Sequence, residues 1–286
     1  MTNDHIIKLR DRRRLGYSEY GDPKGKPIFY FHGWPVSRLS AKITDEAAKK
    51  LHIRIIAPDR PGYGLSDLKK NRTLLEFPDD IVELADQLGI KKFAVMGQSG
   101  GGPYAAVCAY KIPDRLTNIG IVVGLAPTYI SGLLDGITWI AKIGWANYHR
   151  MAFLRFMGAY LHYFRTRYFP SFGLHRFMFG AKADKAIYAD AKVRNEVKKS
   201  YQEAFRQGYK GVEKDLDLYT KDWGFKLSDI KAKVYLFYGE DDKNVSLKMG
   251  QYYADQIKGS KLITYPGEGH LVSRTHVEEI LKTLIT

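Results

Sequence analysis

The chain has 286 residues, of which 45% are hydrophobic and 13% aromatic; that is enough to bury a sizeable core and too apolar for a disordered protein. A single cysteine, Cys108, excludes an internal disulfide framework and fits a reducing compartment. The formal net charge is +14, yet Lys and Arg are spread along the chain without a long basic run or a nucleic-acid motif, so a generically basic surface is expected, with no nucleic-acid partner and with weak affinity for membrane surfaces as a minor expectation.

The first residues, Met1-Thr2-Asn3-Asp4-His5, lack the basic-then-apolar pattern of a signal peptide. No run approaches the ~18 apolar residues of a membrane span. A cytoplasmic chain without stable membrane insertion is therefore expected. Residues 6–20 alternate apolar and basic and predict a two-stranded hairpin at a sheet edge, where charge discourages further pairing. Ile28 to Phe31 is a compact strand running into His32-Gly33-Trp34-Pro35, and a helix is predicted from about Ser40 to Lys50. Ile53 to Ala57 is the next strand, followed by the Gly- and Pro-dense loop Pro58 to Asp67 and a helix over Phe77–Leu88 with Asp79 and Asp80 in its first turn.

Phe93-Ala94-Val95-Met96 then reads as a buried strand, Gly97-Gln98-Ser99-Gly100-Gly101 as a sharp corner, and Tyr104 to Tyr110 as a helix. That context makes G-x-S-x-G a nucleophile elbow, with the serine hydroxyl pushed out above the sheet. Another strand spans Thr117 to Val123. Alternating short strands and helices predict an α/β fold: a mostly parallel central sheet with helices on both faces. From residue 128 to 225 the rhythm disappears, and the sequence becomes helix-like, basic and rich in aromatics, among them Trp139, Trp145, Phe153, Phe164, Tyr168, Phe169, Phe172, Phe177 and Phe179. Each of these is expected to be core, with some lining an apolar or aromatic substrate pocket. The α/β pattern resumes with a strand from Ala232 to Tyr238, a helix over Leu247–Ile257, a strand from Leu262 to Tyr265 and a helix over Val277–Leu284.

A serine hydroxyl needs a base to take its proton, usually a histidine oriented by a carboxylate. Ser99, Asp242 and His270 each follow a predicted strand. Asp242 is preferred to its neighbours Glu240 and Asp241 because it stands three residues beyond Gly239, the turn after the strand. His270 sits in a glycine-flanked loop; the histidines His5, His52, His149, His162, His175 and His276 are less well placed. An oxyanion would be met by the backbone N–H groups of Gly100 and Trp34. His32 is expected to organise the loop that presents Trp34, and Trp34 and Gln98 are expected to contact substrate.

The segments His32-Gly33-Trp34-Pro35, Asp59-Arg60-Pro61-Gly62-Tyr63-Gly64-Leu65-Ser66, Gly97-Gln98-Ser99-Gly100-Gly101, Gly239-Glu240-Asp241-Asp242 and Gly267-Glu268-Gly269-His270 together resemble the α/β-hydrolase fold family, in its capped serine-hydrolase branch. The resemblance implies a core domain of residues 1–125 and 229–286 and a helical cap of residues 126–228 over the active site. Serine at the elbow argues against dehalogenases and epoxide hydrolases, which carry aspartate there. It implies a serine hydrolase acting on an ester or related acyl bond of a small molecule, with no metal or organic cofactor. Aminopeptidase, C–C hydrolase and non-catalytic ligand-binding roles remain alternatives. A peptidase would want an acid in the cap, and Glu203, Glu213 and Asp217 are candidates. A homodimer is left open, and the physiological substrate is not legible.

Overall fold

The computed structural model describes residues 3–148, 151–169 and 180–286. Phe172, Phe177, Phe179, His149 and His175 lie outside them. Eight strands form one sheet: β1 (Asp4–Lys8), β2 (Arg14–Gly21), β3 (Lys26–Phe31), β4 (Ile53–Pro58), β5 (Phe93–Gln98), β6 (Leu116–Val122), β7 (Val234–Gly239) and β8 (Lys261–Tyr265). Their order is β1-β2-β4-β3-β5-β6-β7-β8. β2 is antiparallel to both β1 and β4, and the remaining pairs are parallel. The predicted edge hairpin is β1–β2, with Ile7 opposite Leu15.

The pleat explains why the strands bury both faces. In β3, Phe29 and Phe31 enter one core and Ile28 and Tyr30 the other, since successive side chains point to opposite sides. One face is covered by α2 (Phe77–Gln87), α3 (Gly102–Lys111) and α9 (Leu247–Gln256), the other by α1 (Asp45–Lys50) and α10 (Val277–Ile285). The helix predicted over 40–50 is instead a 3-10 segment, Arg38–Thr44, running into α1. The hydroxyls of Ser40 and Thr44 donate to carbonyls three residues back, at 2.9 and 2.7 Å, and side chains of this kind compete with the regular helical ladder.

Between β6 and β7 the chain forms five described helices: α4 (Trp139–Tyr148), α5 (Ala152–Tyr168), α6 (Lys182–Tyr188), α7 (Ala191–Ala204) and α8 (Lys210–Tyr219). Ala159, Tyr201, Ala204, Phe205, Val212 and Leu216 make a separate small core there, joined by Tyr63 from the loop after β4. The expectation that the aromatics here are core fails for several. Trp139, Phe153, Phe164, Tyr168 and Phe169 are exposed; α5 buries the face that carries Ala159 and Thr166 and turns Phe153, Phe164 and Tyr168 away from it. Among the described residues no helix is long and apolar enough to cross a membrane.

Candidate active site

β5 lies between β3 and β6. The chain leaves β3 toward β4 and then crosses back to β5, so the strand order reverses at the β3/β5 boundary. A crevice opens at the carboxyl ends of strands at such a point. Ser99 stands at this boundary, at the end of β5, with φ +53°. A left-handed conformation at a non-glycine residue costs about 1–3 kcal/mol and persists only where the surroundings impose it. Close packing imposes it here. A methyl on Gly97 would stand 2.3 Å from the Gly101 carbonyl oxygen, and one on Gly101 would stand 2.1 Å from that of Phe31. The corner can therefore press against both its own strand and β3.

His270 follows β8 and Asp242 follows β7. The imidazole Nε2 is 3.1 Å from Ser99 Oγ, and Nδ1 is 2.7 Å from Asp242 Oδ2. The second Asp242 oxygen accepts the N–H groups of Asn244 and Val245, at 2.7 and 3.0 Å. Asp241 is exposed, and Glu240 takes a hydrogen bond from Thr264. The contact to Asp242 selects the tautomer that leaves Nε2 free to accept a proton. Burial pushes the imidazole pKa down, but the Asp242 carboxylate, with a further contribution from Asp184, leaves it above the ordinary histidine value.

Asp184 is a residue that the sequence reading missed. It is fully buried, belongs to α6 and receives the backbone N–H of His270 at 2.9 Å and that of Leu271 at 2.8 Å, one on each oxygen. Gly269 has to lack a side chain, since a methyl there would stand 2.3 Å from Asp184 Oδ2. The loop carrying His270 is thus clamped by a carboxylate of the helical insertion. A lone Asp in a helical stretch carries no local signal of this, because its partners are backbone groups 86 and 87 residues away.

The loop after β3 is set by buried charge. Arg60 donates to the carbonyl oxygens of His32 and Gly33, the latter at 3.0 Å. His32 Nδ1 also lies 2.9 Å from the Gly33 oxygen, and its Nε2 accepts from the Arg60 N–H at 3.3 Å. Burial and the adjacent Arg60 hold His32 well below the usual histidine pKa, hence neutral, which fits the expected loop-organising role. The Gly33 C=O and the Trp34 N–H belong to one planar peptide unit. Holding the oxygen toward Arg60 turns the Trp34 N–H the other way. The Trp34 nitrogen lies 3.0 Å from the point where a Gly100 Cβ would stand, so both predicted donors share one corner.

Arg60 is in turn paired with Asp215 of α8 at 2.7 Å. Asp215 also accepts from Tyr63 at 2.7 Å and Tyr104 at 2.6 Å, it pairs with Arg72, and the Tyr219 hydroxyl oxygen lies 3.2 Å from it. Tyr219 donates to the Gly100 carbonyl at 2.8 Å. Burial opposes ionisation of Asp215, but Arg60 and Arg72 outweigh it and hold the pKa far below the usual carboxylate range.

Two chambers meet at Ser99 and His270. One, of about 260 Å³, is lined by Trp34, Leu125, Ala141, Trp145, Tyr148, His162 and Val245. The other, of about 90 Å³, has Tyr30, Gln98, Leu39, Ile43, Val197 and Arg274 in its wall. Gln98 Oε1 is tied to the Tyr30 hydroxyl at 2.5 Å. Trp34 lines both chambers and its indole donates to the Val212 carbonyl at 3.1 Å. His162, passed over in the sequence, packs edge-on to Trp34 at 5.3 Å, and burial lowers its pKa to about 4. Glu203, Glu213 and Asp217 line neither chamber. Glu203 pairs with Arg38, and Asp217 with Arg155, Lys214 and Lys221. Among the described residues no group of three or more His, Cys, Asp or Glu side chains could hold a metal ion.

Known proteins resemble the chain throughout its length. It is 24% identical over 287 residues to a bifunctional esterase/perhydrolase from Acinetobacter calcoaceticus, covering 98% of this chain and 97% of that protein. It is 27% identical to an uncharacterised hydrolase from Saccharomyces cerevisiae, with 99% and 96% covered. A bromoperoxidase structure from Bacillus anthracis superposes with a TM-score of 0.72 at 19% identity, over 99% of this chain and 98% of that one. The family model described as alpha/beta hydrolase fold matches residues 26–277, and with the sheet and its elbow as described, the chain belongs to the α/β-hydrolase fold family.

Proposed function

We propose that the protein is a serine hydrolase that cleaves an ester or related acyl bond of an apolar or aromatic small molecule. The observation that carries the reading is the hydrogen-bonded chain Ser99–His270–Asp242, at 3.1 and 2.7 Å. Ser99 Oγ attacks the acyl carbonyl as His270 Nε2 takes its proton. Asp242 holds the ring and stabilises the imidazolium. The N–H groups of Gly100 and Trp34 receive the oxyanion, at the N-terminal side of α3 where backbone dipoles favour negative charge. His270 returns the proton to the leaving group, and water, activated by the same imidazole, releases the acyl group. The helices between β6 and β7, residues 126–228, act as a cap, and the chamber of Trp34, Trp145 and Tyr148 takes the apolar part of the substrate.

The aminopeptidase alternative is disfavoured, because the three acids considered for holding a substrate amine are ion-paired or absent from the chambers, and Glu196, which does line the smaller one, is bonded to Arg274 at 3.1 Å. Turnover of p-nitrophenyl esters, lactones and aminoacyl arylamides, with Ser99→Ala as control, tests the reading. Esters or lactones should turn over, a fluorophosphonate probe should label the protein, and Ser99→Ala should abolish both. Equal labelling of the two proteins would sink the assignment. The panel is run with and without hydrogen peroxide, since a relative is named as both esterase and perhydrolase.

A further inference from the structure

The outer face of α5 is apolar where a solvated helix would be polar. Phe153, Tyr160, Leu161, Phe164 and Tyr168 are 63, 38, 56, 42 and 60% exposed. At about 100° per residue, these five fall within one stripe roughly 100° wide. Their rings run on along the helix, with Tyr160 6.5 Å from Phe164 and Phe164 4.9 Å from Tyr168. Solvated apolar stripes of this kind mark interaction surfaces.

Charge says what the stripe faces. No Asp or Glu occurs between Asp135 and Asp184, while Lys142, Arg155, Arg165, Arg167 and Lys182 all do; of these, Lys142 and Arg155 are already paired, with Asp135 and Asp217. By the same helical geometry Arg167, which is exposed, flanks the stripe on one side, while Arg165 on the other has a guanidinium nitrogen buried. Arg167 also lines a groove of about 490 Å³ with Lys199, Arg206 and Glu203. Glu203 is already engaged by Arg38 at 2.7 Å and by Arg206 at 3.2 Å. With Arg206 paired to Glu203, the groove still offers Arg167 and Lys199 and no free carboxylate.

We propose that this face of the cap docks peripherally on an anionic lipid bilayer, with the α5 aromatics at headgroup depth and Arg167 and Lys199 on lipid phosphates. Aromatic side chains flanked by cations suit that boundary, where each has an apolar side and a wet side. A second copy of the chain is the poorer occupant. It would bring an identical arginine-flanked stripe, and like charges would face each other unneutralised. The chain lies on the surface and does not span it.

Flotation of the full chain with vesicles decides this. The protein should float with phosphatidylcholine vesicles containing phosphatidylglycerol at low salt, be released at high salt and stay behind with phosphatidylcholine alone. Each cation near an anionic surface contributes roughly fivefold. Arg167→Glu with Lys199→Glu should therefore weaken binding about tenfold or more. Phe164→Ser with Tyr168→Ser should weaken it comparably. Both pairs should keep wild-type thermal midpoint and fluorophosphonate labelling. Failure to float with the anionic vesicles, equal flotation with neutral ones, or unchanged binding of either double variant would overturn the proposal. So would a dimer that Phe164→Ser with Tyr168→Ser dissociates in the absence of vesicle binding, which would assign the stripe to a second copy.

Discussion

His270 is held by carboxylates on two sides, and the two do different work. Asp242 bonds the ring, and Asp184 bonds the backbone beneath it. In the proposed hydrolysis His270 must be neutral to accept the Ser99 proton, and its pKa lies above the ordinary value near 6.5. The acid limb of kcat/KM should therefore have its midpoint above 6.5, with activity lost as pH falls through it. Asp184→Asn removes a negative charge near the imidazolium and one of the two backbone acceptors. Its limb should move to lower pH, and kcat should fall about tenfold, the worth of one charge-assisted bond, with KM little changed. A pH–rate profile of both proteins checks this; an unmoved limb would mean that Asp184 serves only to dock α6 on the loop after β8.

The elbow is the element on which the site turns. β5 delivers Ser99, and the 3-10 turn Ser99–Gly101 swings the chain into α3 within three residues. The turn survives because β3 and β5 approach it where glycines leave room. At Gly101 the nearest atoms to an added methyl are backbone, the Phe31 and His32 carbonyls at 2.1 and 3.0 Å, and backbone cannot rotate away. Gly101→Ala should cost about 1–3 kcal/mol in urea denaturation, the usual price of overpacking. It should also lower fluorophosphonate labelling more than stability alone explains, because the same shift moves the Gly100 N–H. The loop after β3 matches the elbow from the other side. Its residues were legible as a loop at a strand end, and Arg60 stands in the Gly- and Pro-dense segment after β4, yet the role of Arg60 depends on carbonyls in another loop.

Across the whole molecule, one buried anion joins the sheet and its loops to the helices between β6 and β7. Asp215 on α8 sits between Arg60 and Arg72, and the hydroxyls of Tyr63 and Tyr104 also donate to it. Its folded pKa lies below the unfolded value near 4, so the stability it contributes is fully present at neutral pH and is lost as pH falls below about 4. Asp215→Asn leaves two buried guanidinium groups uncompensated and should cost about 3–5 kcal/mol in chemical denaturation at pH 7. It should also release Arg60 from the loop that presents Trp34, so activity should drop in the fraction that remains folded. A variant as stable as the wild type would show that solvent or another acid compensates the pair.

The sequence by itself determined the α/β architecture and the residues that meet at the elbow. Strand identity follows from short apolar runs, and Ser99, Asp242 and His270 each sit within a few residues of a strand end, so local pattern located all three. Only the tertiary structure decided which groups hold them there. Asp184, Arg60 and Asp215 act on backbone or side chains tens to hundreds of residues away, and their effects depend on burial, which no local pattern encodes. The same holds for the aromatics of α5: their composition was plain, but whether they faced a core, a pocket or the outside depended on how the helix was rotated when it packed.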